Sequence, residues 1–390
     1  MNMIKKLILA CLIAGGTLQA QQPEKILRRT RVYKGAAFYN EQVKLWKKEV
    51  DKNPRNAAAW QNYYLANRYS DLLKEDGSEN GREKVLARIV SDMAGQIPNS
   101  IEYIHCKLLN TSMDKGNPET LKMILKGYAL NPKDEEILEA YINYCELTGE
   151  PEKLRQLYQG LKDTQVNDYT IMEFNYNMLM SVDKNAILIT WGDNDTYPAR
   201  ILQECKSVRT DITLINASFG TNFPDYLSRM LKQKGIVLSE GFVKSNKSPE
   251  NMKAFIKNLT IEINSHYPAV PIFFAITGDT ENLFDDSLYC TGLANRFSTV
   301  RIDNMSKLKN NVENRFHLDY LRNGLNEEAS ISHPVGEEFA MNYVIPFGML
   351  YKHYKGLGEN NDRSEFYKNF VMEQAAKTKN EKQMKEYLEN

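Results

Sequence analysis

From residue 40 to about residue 165, apolar positions recur at helical spacing, and the pattern predicts helices throughout. Pro54, Pro98 and Pro132 punctuate this stretch. The second interval is 34 residues, the period of the tetratricopeptide repeat. The first is 44, and its extra ten residues match the Gly- and charge-rich insertion Lys74–Arg82. Six positions after each proline stands an apolar residue: Trp60, Ile104 and Leu138. Asn53-Pro54 and Asn131-Pro132 share a dipeptide that suits the joint between repeats. A degenerate tetratricopeptide-like array is therefore expected, in which each helix pair buries its apolar stripe against its neighbours. An unrelated helical bundle is the plainer alternative.

Beyond residue 168 the period changes. Ala186–Thr190, Ile212–Asn216 and Ile272–Ile276 are continuous apolar runs rich in β-branched residues. Ser298–Ile302 is a weaker run and Ile236–Ser239 a short one. Helical patterns separate them at 198–206, 224–234, 249–265 and 283–296. Strands alternating with helices predict a Rossmann-like parallel sheet, and runs apolar at every position predict strands buried on both faces. Three further helices are expected at 303–322, 336–354 and 364–389, with a polar connection at 323–335.

The fold class is thus α followed by α/β. Residues 1–20 read as a signal peptide, 21–165 as the helical repeats, 166–325 as the Rossmann-like domain and 326–390 as a C-terminal helical segment. The leader carries Lys5 and Lys6, an apolar run from Leu7 to Gly16, and Leu18-Gln19-Ala20 before the cut. This predicts export, to the periplasm or beyond. A lipid anchor at Cys11 is disfavoured, because only four apolar residues separate it from Lys6. No later run is long enough to span a bilayer.

Composition narrows the partners. The formal net charge is zero, so the basic footprint of a nucleic-acid binder is missing. Cys106, Cys145, Cys205 and Cys290 show no Cys-x-x-Cys spacing, which argues against a zinc site and for buried thiols. The five histidines are scattered, and no Gly-x-Ser-x-Gly elbow occurs.

Candidate chemistry lies where the strands end. The first run gives Thr190-Trp-Gly-Asp193, then Asn194, Asp195 and Thr196; the third gives Thr277-Gly-Asp279. In the strand order 3-2-1-4-5 these two strands are neighbours, and ligands bind in the crevice where winding reverses. Asp193, Asp195 and Asp279 would then face one another, flanked by Asn216 and Ser218. Three carboxylates so placed repel, so a cation or a proton is needed to hold them together, and hard oxygen ligands suit Mg²⁺, Mn²⁺ or Ca²⁺. The plain structural alternative is a turn whose Asp and Asn side chains cap the following helix.

The ordered string Ala186-Ile-Leu-Ile-Thr-Trp-Gly-Asp-Asn-Asp-Thr-Tyr-Pro198, Leu202-Gln-Glu204, Val208-Arg-Thr-Asp211 and Leu214-Ile-Asn-Ala-Ser218 resembles the soluble C-terminal region of a bacterial membrane-protein family related to protein O-mannosyltransferases. The likeness continues through Pro271–Ala275 and Leu288–Arg296, over roughly residues 180 to 325. It implies a shared α/β fold and a shared pocket at Asp193 to Thr196. The family's membrane-spanning helices have no counterpart in this string, so the resemblance does not imply sugar transfer.

The functional expectation is an exported binding or scaffold protein. The repeats would dock a protein partner, and the α/β module would bind a small polar or glycan-like ligand. The alternative is a metal-dependent enzyme acting on a sugar or phosphate ester through Asp193, Asp195 and Asp279.

Overall fold

The computed structural model describes residues 22–28, 32, 34–71, 79–111, 118–164, 169–247, 249–280, 283–322, 334–359 and 361–389. The expected signal peptide and Cys11 lie outside them. The described chain forms two compact units, one running in the main to Asn110 and the other beginning at Thr111. The expected boundary at 165 is therefore displaced: the helices between 118 and 163 fold with the strands rather than with the first helix pairs.

The first unit holds α1 (Ala36–Lys52), α2 (Ala57–Tyr69), α3 (Glu79–Gln96) and α4 (Ile101–Asn110). Its core gathers Tyr39, Tyr64, Ile89, Met93 and Cys106. The second unit opens with α5 (Pro118–Leu130), α6 (Glu135–Thr148), α7 (Pro151–Asp163) and α8 (Tyr169–Met180).

The three prolines occupy equivalent places in three turns. In 53–56, 97–100 and 131–134, proline is the second of four residues between two helices. Each turn is closed by the N–H of its last residue donating to the carbonyl of its first, at 3.0, 3.1 and 3.2 Å. The last residue then caps the next helix. Asn56 Oδ1 accepts from Ala59 N, Ser100 Oγ from Tyr103 N and Asp134 Oδ1 from Ile137 N, each at 3.1 Å. Proline is tolerated because it lies outside both helices, where no N–H is required of it. Trp60, Ile104 and Leu138 all point inward.

The α/β part continues with β1 (Ile187–Thr190), α9 (Asp193–Lys206), β2 (Thr213–Asn216), α10 (Ala217–Asn222), α11 (Pro224–Lys232), α12 (Glu240–Ser245), α13 (Met252–His266) and β3 (Ile272–Ala275). A hairpin of β4 (Leu288–Cys290) and β5 (Ala294–Phe297) follows. The sheet order is β2-β1-β3-β5-β4. Strands β1, β2 and β3 are parallel, so 187–190 and 272–275 are indeed neighbours. Strand β5 runs antiparallel to β3 and β4, which makes the sheet mixed rather than parallel throughout.

Both faces of the parallel strands are covered. Leu188, Leu214 and Phe273 join one core with α8, α9 and the C-terminal helices. Ile187, Ile189, Ile215, Ile272 and Phe274 join another with α11 and α13. Alternate side chains feed opposite cores, which is why the runs are apolar at consecutive positions.

Several local expectations are corrected. Residues 283–296 are not a helix: a 3-10 turn at Asp285–Ser287 leads into the hairpin. Gly292, at φ +140°, turns the chain between the two strands. An added Cβ there would lie 2.4 Å from Ser181 Oγ, so the turn also needs glycine for space. Neither 236–239 nor 298–302 is a strand. The stretch 303–322 divides into α14 (Asn304–Asn314) and α15 (Asp319–Arg322). The last stretches become α16 (Pro334–Ala340), α17 (Val344–Gly356), α18 (Asp362–Lys377) and α19 (Glu381–Glu389). Phe347, Tyr367, Phe370 and Leu388 of these helices share the core that holds Leu188, so the C-terminal segment belongs to the α/β unit. Cys106, Cys145 and Cys290 are buried, and Cys205 is only half-buried.

Candidate functional site

The stretch after β1 is the first turn of α9, not a loop before a helix beginning at Pro198. Asp195 makes that turn. Its Oδ2 accepts from Trp191 N at 2.9 Å and its Oδ1 from Gly192 N at 2.8 Å. These N–H groups precede the helix, and a carboxylate facing the helix N-terminus is favourably placed. Thr277 Oγ1, beyond β3, donates to Asp195 Oδ2 at 2.5 Å. Burial raises the pKa of Asp195, and the bonds from Thr277, Trp191 and Gly192 oppose that rise.

Pro198 lies inside α9. It has no N–H for the carbonyl of Asn194, one turn earlier. Asn175 Nδ2, on α8, donates to that carbonyl at 2.8 Å. The adjacent Thr196 is buried, with its Oγ1 2.7 Å from Thr190 Oγ1 and 3.2 Å from Asn216 Nδ2. Asn216 also caps α10 by accepting from Phe219 N at 3.1 Å.

The crevice between β1 and β3 is closed by side chains. Trp191 Nε1 donates to Ala275 O at 3.1 Å, and the indole lies against Gly278. An added Cβ at Gly278 would sit 2.0 Å from Trp191 Nε1. With Trp191 laid across β3 and Thr277 bound to Asp195, the reversal point holds a packed joint.

The three acids do not assemble a metal centre. Asp195 spends both oxygens on backbone N–H groups and Thr277. Asp279 is exposed, and Lys253 Nζ lies 2.5 Å from its Oδ2. Among the described residues, no group of three or more His, Cys, Asp or Glu is placed to hold a metal ion. The residues present therefore do not fit the expected Mg²⁺, Mn²⁺ or Ca²⁺.

A cavity does open nearby, on the other side of α9's first turn. It has a volume of about 140 Å³ and lies beyond the carboxyl ends of β1 and β2. Of the seven candidate residues, Asp193, Thr196, Asn216 and Ser218 line it, while Asn194, Asp195 and Asp279 do not. The remaining wall comes from Trp191, Gly192, Tyr197 and Arg200, from Phe219 and Tyr226, and from Asn143, Glu146 and Tyr158 of the preceding helices.

The electrostatic centre of the cavity is a buried ion pair absent from the sequence-based candidates. Arg200 Nε lies 3.4 Å from Glu146 Oε1, and each side chain is only 11% exposed. Arg200 also donates to Leu214 O at 3.2 Å. Tyr158 donates its hydroxyl to Glu146 Oε1 at 3.0 Å. Burial works against the charge of Arg200, but Glu146, with Tyr158 and Tyr226, outweighs it and raises its pKa. Burial, reinforced by Glu146, pushes the Tyr226 phenol up to about 12. Tyr197 OH donates to Asn143 Oδ1 at 2.6 Å, a second tie between α9 and α6. The sequence did hold one signal for Arg200. Asp193, Thr196, Tyr197 and Arg200 fall at i, i+3, i+4 and i+7, on a single helical face. Glu146 carried no such mark, since it lies on a different helix far earlier in the chain.

The geometry defines a class of protein: helix pairs joined to a mixed-sheet α/β unit with a polar cavity at its parallel strand ends. Residues 171–235, from α8 past α11, match the family model described as TMEM260-associated domain 2, so this segment is similar to a TMEM260-related domain. No curated protein matches the chain.

Proposed function

We propose that this chain is an exported binding protein, to the periplasm or beyond, whose Rossmann-like α/β unit takes up a small polar or glycan-like ligand while tetratricopeptide-like helix pairs dock a protein partner. The α/β unit is, on this reading, a counterpart of the soluble region of bacterial O-mannosyltransferase-like membrane proteins. The match over residues 171–235 supports it, because that span supplies most of the cavity wall. The repeated proline turns support the reading of the helix pairs. Among the described residues, no helix is long and apolar enough to cross a membrane.

The observation that carries the ligand reading is the cavity itself. It sits at strand carboxyl ends, where open α/β sheets bind ligands, and convergent polar groups line it beside five aromatic side chains. Binding explains these features without a catalytic step, and the dispersed acids lend nothing to the metal-dependent alternative.

Ligand-observed NMR of the full chain against a library of small polar metabolites tests the proposal. At least one member should bind, and Ser218→Phe should abolish that binding, because Ser218 is exposed at the cavity wall. Binding that persists unchanged in Ser218→Phe would place the ligand elsewhere and overturn the reading.

A further inference from the structure

Resting on the reading of the cavity as a ligand site, we infer that its ligand is an uncharged, hydroxyl-rich molecule the size of one sugar ring, and that Glu146 excludes the anionic relatives of that molecule.

Size comes first. A cavity of about 140 Å³ has room for on the order of ten water-sized probes, which suits a single six-membered sugar ring and little more. The character of the wall comes second. Trp191 and Phe219 offer apolar surface, while the exposed Ser218 hydroxyl, together with amide and phenol groups that keep hydrogen-bonding capacity beside the bonds they already make, offers polar contacts. A pyranose has the same mixture, with C–H faces and hydroxyl edges.

Charge decides the class. Among the described residues, Arg200 is the one cationic side chain in the wall, against Glu146 and Asp193. That arginine is already engaged by Glu146 and by the Leu214 carbonyl. An incoming phosphate or carboxylate would meet the carboxylates of Glu146 and Asp193 and a guanidinium held by a better-placed partner. It would also have to strip Arg200 from Glu146 and leave that buried carboxylate uncompensated. A neutral polyol can hydrogen-bond to the rim without disturbing the pair. With Glu146 neutralised, the Arg200 guanidinium loses its ion-pair partner in the wall and can take up an anion, so this one side chain governs whether an anion is admitted.

Saturation-transfer NMR on the full chain supplies the test. The neutral probes are the methyl glycosides of glucose, mannose, galactose and N-acetylglucosamine. The anionic probes are the hexose 6-phosphates and inorganic phosphate. Wild type should bind at least one methyl glycoside and bind every phosphate at least about tenfold more weakly. Glu146→Gln, which preserves shape and the acceptor for Tyr158, should reverse that order. If this variant does not fold, Asp193→Asn on the partly exposed first turn of α9 should narrow the discrimination instead. Wild-type preference for a phosphate overturns the charge assignment while leaving the cavity a ligand site. An unchanged preference in a folded Glu146→Gln, or in Asp193→Asn where that variant stands in, also overturns it. If neither probe class binds wild type, the inference and the site reading beneath it both fall.

Discussion

The hydroxyl of Thr277 donates to the buried carboxylate of Asp195 across 2.5 Å, joining the ends of two neighbouring parallel strands. Asp195 in turn holds the N–H groups of Trp191 and Gly192, so one carboxylate ties together β1, α9 and the segment after β3. Thr277→Val keeps the shape and removes the donor. It should cost about 1–3 kcal/mol, the range for leaving a buried polar group short of a partner. Urea unfolding of the two proteins measures the difference, and equal midpoints would show that the bond contributes nothing.

Gly278 is required by Trp191. A Cβ in Gly278→Ala would fall 2.0 Å from the indole nitrogen, and Trp191 cannot retreat without losing its bond to Ala275 O. The substitution should destabilise by at least the about 1–3 kcal/mol typical of overpacking. It should also shift tryptophan emission as the ring is displaced. Unchanged emission together with an unchanged unfolding midpoint would contradict this packing.

Asn175 compensates for the proline in α9. Asn175→Ala should cost about 1–3 kcal/mol by leaving the carbonyl of Asn194 short of its donor. Pro198→Ala restores a helical N–H to that carbonyl, so Asn175→Ala should cost less in a Pro198→Ala background. A double-mutant cycle measures the coupling, and strictly additive effects would rule out the compensation.

Asp211 supplies a pH signature. Hydrogen bonding from Arg209 is the main cause that lowers its pKa from 3.8 to about 2. Its folded pKa lies below the unfolded one, so its contribution is complete above the unfolded value. That contribution disappears as pH falls through about 2. Wild type should therefore lose stability more steeply than Asp211→Asn between roughly pH 5 and pH 2, as acid unfolding curves would show. Parallel curves would mean that the ion pair with Arg209 has no energetic effect. Asp195 has the opposite sign: burial raises its folded pKa, so its ionisation costs stability as pH climbs above the ordinary carboxylate range.

The elements legible in advance were those whose cause is local. An Asn-Pro turn followed by an Asn or Asp cap contains its own hydrogen-bonding partners within a few residues, so 53–56 and 131–134 could be recognised as joints. Runs such as Ile187–Thr190 and Ile272–Ala275 announced strands covered on both faces, because burial on two sides requires apolar residues at every position. The hairpin at 288–297 was not legible. Its apolar residues also fit a helical period, and what draws β5 into an extended form is the edge of β3, which only the folded sheet presents.

At the site, the chain alone marked Asp193, Thr196, Asn216 and Ser218 through their place after apolar strands, and all four line the cavity. It could not distinguish Asp195, which makes a turn, from Asp193, which faces the cavity, although one residue separates them. That distinction depends on which way each carboxylate points once Trp191 and Thr277 are packed beside it. Nor could it pair Arg200 with Glu146. Local patterns specify helices, turns and strands, because those are satisfied by near neighbours. The charge of a buried cavity is fixed by side chains from distant segments, and only their approach in the folded chain brings an arginine and a glutamate within 3.4 Å.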